Sequence, residues 1–229
     1  MNKNIYLLLM ILLFSGCSDG DTGNDPLQKS FNFNTGVEEW QADFADYPEG
    51  EESFYELEYA YAALPSPLDQ DDHAIKQSGN NHSDDLFMFI KRKITGLKPN
   101  SNYDITFTLE FATNAPDNSF GVGGSPGSSV YIKAGASQVE PVKELDDNGI
   151  YRMNIDKGNQ AEEGEDMINL GDFSNGLEED VYALKTLSNQ DPFVMKSDEN
   201  GEIWVIVGTD SGFEAATTIY YNNILIRFD

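Results

Sequence analysis

"ITGLKPNSNYDITFTLEF" runs from Ile94 to Phe111, and its second half decides the fold. Tyr103, Ile105, Phe107, Leu109 and Phe111 fall on every second position, the period of a β-strand with one buried face. The Lys98-Pro-Asn-Ser turn precedes it, and Pro and Asn favour such a reversal. Upstream, Leu86 to Lys93 places Leu86, Met88 and Ile90 on one face and Phe87, Phe89, Lys91 and Lys93 on the other.

Working outward, Phe54 to Tyr61 alternates too, with Tyr55, Leu57, Tyr59 and Tyr61 opposed to Phe54, Glu56, Glu58 and Ala60. Val130 to Ala134, Tyr151 to Ile155, Ile203 to Val207 and Thr217 to Phe228 are rich in β-branched and aromatic residues, which suit pleated, half-buried surfaces. Turn signals at Leu64-Pro-Ser-Pro, Asp117-Asn, Asp147-Asn-Gly and Asp198-Glu-Asn-Gly separate them. Leu177, Val181, Leu184 and Leu187 have near-helical spacing, although a short strand from Val181 fits nearly as well. Many short strands with polar turns predict an all-β sandwich or jelly roll. Trp40 and Trp204 lie in or beside apolar runs and are expected in its core.

Three stretches resemble known β-sandwich families. Gly96-Leu97-Lys98-Pro99 with Tyr103 resembles the Gly-Leu-x-Pro-x-x-x-Tyr corner of fibronectin type III domains and jelly-roll carbohydrate-binding modules. "TTIYYNNILIRF" (Thr217 to Phe228) resembles the closing strand of galactose-binding-like jelly rolls, and "FNFNTGVEEWQADF" (Phe31 to Phe44) their opening strand. A fibronectin domain is too short for residues 29–229, so the resemblance implies a single jelly-roll, galactose-binding-like β-sandwich with long polar loops. It also implies a carbohydrate ligand. Asn222 stands where many such modules carry an aspartate near a structural calcium, so the resemblance does not carry that ion over.

The N-terminus gives an address. Met1 to Gly16 opens with Lys3 and continues as an apolar run from Ile5 to Phe14, about half of the roughly 20 residues that span a bilayer. It reads as a secretory signal. Leu13-Phe14-Ser15-Gly16-Cys17 resembles the lipobox of bacterial lipoproteins, which implies cleavage before Cys17 and lipid on that cysteine. The acidic, glycine-containing stretch 17–28 reads as a flexible tether. Ser18 resembles an outer-membrane sorting residue, so the expected location is the bacterial outer membrane, on its periplasmic or its exposed side. Cys17 is the only cysteine, so no internal disulfide can form.

The residues after Cys17 carry 13 basic against 40 acidic side chains, a net charge of −27. That disfavours nucleic acid and anionic lipid surfaces. It favours neutral ligands held by hydrogen bonds and stacking, or a cation.

Candidate chemistry gathers in polar loops. "SGNNHSDDLFMF" (Ser78 to Phe89) feeds a polar cluster into an apolar strand. Asn80, Asn81, Asp84 and Asp85 could bind a sugar at a sheet rim, and Asp84 with Asp85 could bind calcium. An ordinary capped turn is the competing reading. Asp210 and Glu214, in "GTDSGFE", are further candidate ligand contacts. The glycine-rich Ala115 to Ser137 lacks a phosphate-binding lysine and is expected to wrap beside the binding face. Lys157 is expected to pair with Asp156 or another loop carboxylate. Glu56 and Glu58 share a strand face in this reading, a weak hint of glycoside hydrolysis. His73 and His82 have no zinc spacing, and no Gly-x-Ser-x-Gly elbow occurs. No catalytic residue is assigned. The expected function is a lipid-anchored envelope module that binds carbohydrate or another surface polymer. Its rivals are a glycan hydrolase or lyase and a scaffold for a partner protein.

Overall fold

A computed structural model describes residues 27–83 and 85–229. The strands of the first half, in chain order, are β1 (Leu27–Asn32), β2 (Gln41–Ala45), β3 (Tyr47–Pro48), β4 (Glu58–Ala63), β5 (His73–Asn80), β6 (Leu86–Ile94) and β7 (Asn102–Thr113). Then come β8 (Val130–Ser137), β9 (Lys143–Leu145), β10 (Ile150–Met153) and β11 (Met167–Asp172). The last four are β12 (Ala183–Ser188), β13 (Phe193–Lys196), β14 (Ile203–Ser211) and β15 (Ala216–Phe228).

Two antiparallel sheets face each other. The first has the order β12-β7-β15-β5-β4, with β1 also on β15 and β13 also on β7; the second is β11-β8-β14-β6-β2. A small sheet, β3-β10-β9, lies beside them. Cys17 and Asp84 lie outside the described residues.

The Ile94–Phe111 stretch behaves as its pattern predicts. Ile105, Phe107, Leu109 and Phe111 are all fully buried in the core. At the corner, the Tyr103 hydroxyl accepts a hydrogen bond from the Lys98 N–H at 2.7 Å, and Gly96 takes a φ of +85° that side chains disfavour. β6 is more buried than its alternation suggests. Leu86, Met88 and Ile90 join the main core, while Phe87 and Phe89 form a second cluster with Ala45, Ile155, Met167 and Ile206 on the other face. The segment after β10 covers that outer face, so both faces of the strand are apolar.

Three expectations are corrected. The strand read from Phe54 begins only at Glu58, because Glu56 adopts a left-handed φ of 51° that breaks the extended run. Glu56 and Glu58 therefore share no strand face. Within Leu177–Leu187 the helical reading gives way to the short strand, which starts at Ala183 and pairs with β7 through Ser188, where apolar sheet pairing outweighs the near-helical spacing. Trp40 is buried beside Phe31 and Phe33, but Trp204 is half-buried on the outer face, with the ammoniums of Lys91 and Lys93 each 5.4 Å from its ring centre. Long lysine stems cover its ring where a second sheet would otherwise be needed.

Candidate functional site

The two polar loops singled out in the sequence meet at one end of the sandwich. Asn81 is buried and donates to the carbonyls of Ser211 and Phe213 at 2.8 and 3.1 Å, while its own side-chain oxygen accepts from the Ser83 N–H. All its hydrogen bonds go to backbone, so it clamps the loops together. Asn80 donates to Glu56 at 3.3 Å, and the Glu214 N–H bonds Val122 O of the glycine-rich loop. That loop does wrap against its neighbours: a side chain on Gly123 would run into the carbonyl of Gly212.

Asp85 and Asp210 belong to a charged cluster on the outer face of the second sheet. Lys157 Nζ lies 2.8 Å from Asp210 Oδ2, 3.0 Å from Asp46 Oδ2 and 4.0 Å from Asp85 Oδ1. Arg152 Nη1 donates to Asp46 Oδ1 and to Asp85 Oδ2, each at 2.7 Å. Lys133 Nζ approaches Asp210 at 3.5 Å and donates to Glu162 O at 2.7 Å. Three carboxylates thus face three cations. Asp46, Asp85, Arg152 and Lys157 border a pocket of about 390 Å³ that Asp156, Gly158 and Asn159 also line. Lys157 pairs with Asp210 and Asp46, whereas Asp156 accepts from the N–H groups of Gly158 and Glu165.

The pKa shifts follow the burial. Asp85 is raised, chiefly by desolvation and then by the Asp46 charge. Burial alone would lower Lys157, but Asp210 and Asp46 hold it above the usual lysine range. Lys133 is lowered by its burial. Asp46, Asp85 and Asp210 lie within 4.8 Å of one another, a spacing suited to a metal. The Lys157 ammonium already occupies their midst, however, so the triad does not fit a divalent ion without displacing it. Asp46 is 3% exposed with a cation against each oxygen, which makes it a poor nucleophile. The cluster therefore fastens residues 152–160 over the sheet. Sequence reading missed Asp46 and Arg152, since neither stands near Asp85 or Asp210 in the chain.

The open flank of the sandwich is different. β5 and β1 both pair with the side of β15 opposite β7, and β4 extends beyond β5 as the sheet edge. In the register, Tyr59 is opposite Gln77 and Tyr61 opposite Ile75. Gln77 and Ile75 are buried, so the two tyrosines project from the inner face. The partner sheet ends at β2, and the overhang leaves Tyr59 63% and Tyr61 42% exposed. Together with Trp40, Val37, Gln41 and Ala42 they line a groove of about 300 Å³. Tyr61 is fixed: its hydroxyl donates to Asn34 O at 2.9 Å and its ring stacks on His73 at 5.1 Å. Beneath, Gln77 of β5 ties the two sheets together by donating to Asp43 O of the edge strand β2. Nothing in the sequence distinguished Tyr59 and Tyr61 from core residues, because their exposure depends on which strand ends each sheet.

No family model and no curated protein matches this chain. Solved structures similar to it include TmCBM61 in complex with β-1,4-galactotriose, at 12% identity and a TM-score of 0.40, over 86% of this chain and 94% of that one. Another is the CBM22-1 xylan-binding domain of Paenibacillus barcinonensis Xyn10C, at 11% identity and 0.39, over 89% and 94%. A third is the mannan-recognising module TmCBM27, at 10% identity and 0.39, over 90% and 99%.

Proposed function

We propose that this chain is a non-catalytic glycan-binding module whose ligand lies in the groove between β2 and β4. The observation that carries the reading is the exposed tyrosine pair on the overhanging inner face of β4. Sugar rings present apolar C–H faces that stack on aromatic rings, and an aromatic ring buried by a ligand contributes much area at little entropic cost. Tyr61 is held rigid before binding, so little rotamer freedom remains to be lost there. Titration calorimetry against a panel of soluble polysaccharides tests the reading. Tyr59→Ala/Tyr61→Ala should lower affinity for whichever glycan binds by at least about tenfold, which is 1.4 kcal/mol. Unchanged affinity in that double variant would remove the groove as the site.

We further propose that Cys17 carries lipid and holds the module at the outer membrane. In that reading Cys17→Ser leaves the chain uncleaved before residue 17 and releases it from washed membranes. Retention of the serine variant in the membrane fraction would refute the anchor.

A further inference from the structure

We propose that the open flank takes an acidic polysaccharide, with Arg92 and Lys29 binding a sugar carboxylate beside the ring held by Tyr59 and Tyr61. This rests on the glycan reading above and adds the ligand's charge. The second pocket, of about 270 Å³, lies between β1 and the end of β6. β2 covers β6 only as far as Lys91, so Arg92 to Ile94 reach the same open side as the groove. The two cavities are divided by the segment that crosses from β1 to β2. Val37, Trp40 and Gln41 line the tyrosine groove, and Glu39 lines the cationic pocket. A linear chain bridging both would pass over that segment.

Arg92 is set up for an anion it does not fully have. Its guanidinium lies 4.5 Å from the centre of the Phe31 ring, and its Nη2 donates to Glu39 at 3.0 Å. Its Nε and Nη1 are buried and meet no acceptor among the described residues. Buried donors left empty are costly and call for a partner. Glu39 is a weak occupant: its side chain is 85% exposed, and a surface ion pair contributes little. Glu38 and Glu39 also hold left-handed φ values of 49° and 63°, which non-glycine residues adopt at some strain. A ligand carboxylate that displaced Glu39 and settled deeper would meet the guanidinium fork in the bidentate manner. Lys29 lines the same pocket, on the face of β1 that carries Phe31, and has no carboxylate partner among the described residues, whereas the Lys93 ammonium lies on the other face of β6, over Trp204 and 3.0 Å from Glu202.

The chain's net charge of −26 sets the kind of anion. A densely sulfated polymer would be repelled along its whole length. Screening acts beyond about 8 Å at physiological salt, so one carboxylate per sugar repeat is governed by the two cations nearest it. A uronate-bearing glycan meets both conditions.

The test uses the purified full chain with polygalacturonate, alginate and hyaluronan, each beside its carboxyl-methyl-esterified form. The acid form of the ligand should bind at least about tenfold tighter than its ester. Lys29→Gln and, separately, Arg92→Gln should abolish that preference and leave ester binding in place. Tyr59→Ala/Tyr61→Ala should weaken both forms alike. Arg92 packs on Phe31, so the lysine variant decides the matter should the arginine variant unfold. Tyrosine-dependent binding with equal affinity for acid and ester, or with a preference for acid that survives the lysine variant, would overturn the carboxylate pocket and leave the glycan reading standing. Failure to bind any glycan, neutral or acidic, would overturn both.

Discussion

On the outer face of the second sheet, Lys157 stands 2.8 and 3.0 Å from two buried carboxylates and Arg152 2.7 Å from two. On the open flank, Arg92 has one exposed carboxylate at 3.0 Å and two nitrogens with no acceptor among the described residues. Both regions are polar pockets in a strongly acidic chain, yet their contents point opposite ways. The outer-face charges balance one another and hold a covering segment in place. The flank leaves aromatic faces in water and guanidinium donors unfilled, so a ligand there has something to complete. Local satisfaction, and not pocket size or charge count, separates a fastening from a site.

The largest effect should come from breaking the balanced cluster. Lys157→Met removes the ammonium and leaves three carboxylates crowded together. Losing one partner of a buried pair typically costs about 3–5 kcal/mol, and each kcal/mol moves the melting temperature by about 2–4 °C at this size. A fall of roughly 6 °C or more is expected by calorimetry. The vacated triad should then accept calcium, so millimolar calcium should restore much of the loss while sodium at matched ionic strength does not. In the parent chain, a rise specific to calcium would locate a cation site elsewhere, and the loop at Asp84 and Asp85 is the place the sequence proposes. A variant that melts like the parent would show that the cluster fastens nothing.

The two tryptophans sharpen the same contrast between filled and open places. Trp40, at the end of the crossing segment, is buried against Phe31 and Phe33, and Trp40→Ala should cost about 3–5 kcal/mol. Trp204 is half-buried beneath two lysines, so Trp204→Ala should cost about 1–2 kcal/mol, a cation–π contact and partial burial. Equal losses in urea titrations would mean that the lysines seal Trp204 as fully as the core seals Trp40.

How far the sequence revealed this molecule depends on the range of the interactions involved. Ile105 to Phe111 read correctly because their alternation is local and one face meets the core. Phe87 and Phe89 misled, because a two-residue period cannot say that the second face is covered by a segment more than 60 positions away. Asp85 and Asp210 were found as polar loop residues, but their partners Asp46 and Arg152 are joined to them only by topology. Tyr59 and Tyr61 show the deepest limit. Their pattern is that of core residues, and only the mismatch between sheet edges at β4 and β2 turns them outward. Register is written in the chain, whereas overhang is a property of two sheets at once.

The smallest predicted effect has the opposite sign to the rest and tests whether the cluster is complete without Asp85. Burial, and after it the Asp46 charge, holds the Asp85 carboxyl above the ordinary aspartate range. Its folded pKa therefore exceeds the unfolded value of about 3.9. A raised carboxyl contributes stability below the unfolded pKa and loses it as pH climbs through the folded pKa. At neutral pH the ionised group thus weighs slightly against the fold. Asp85→Asn removes that penalty, and Arg152 keeps Asp46 while Lys157 keeps Asp210 and Asp46. The asparagine variant should melt at or up to about 3 °C above the parent at pH 7. The difference should fade as the pH falls and the parent's Asp85 takes up its proton. A variant several degrees less stable at pH 7, with a deficit that shrinks in acid, would mean that the Asp85–Arg152 pair outweighs its desolvation, and that the outer cluster needs all three of its acids.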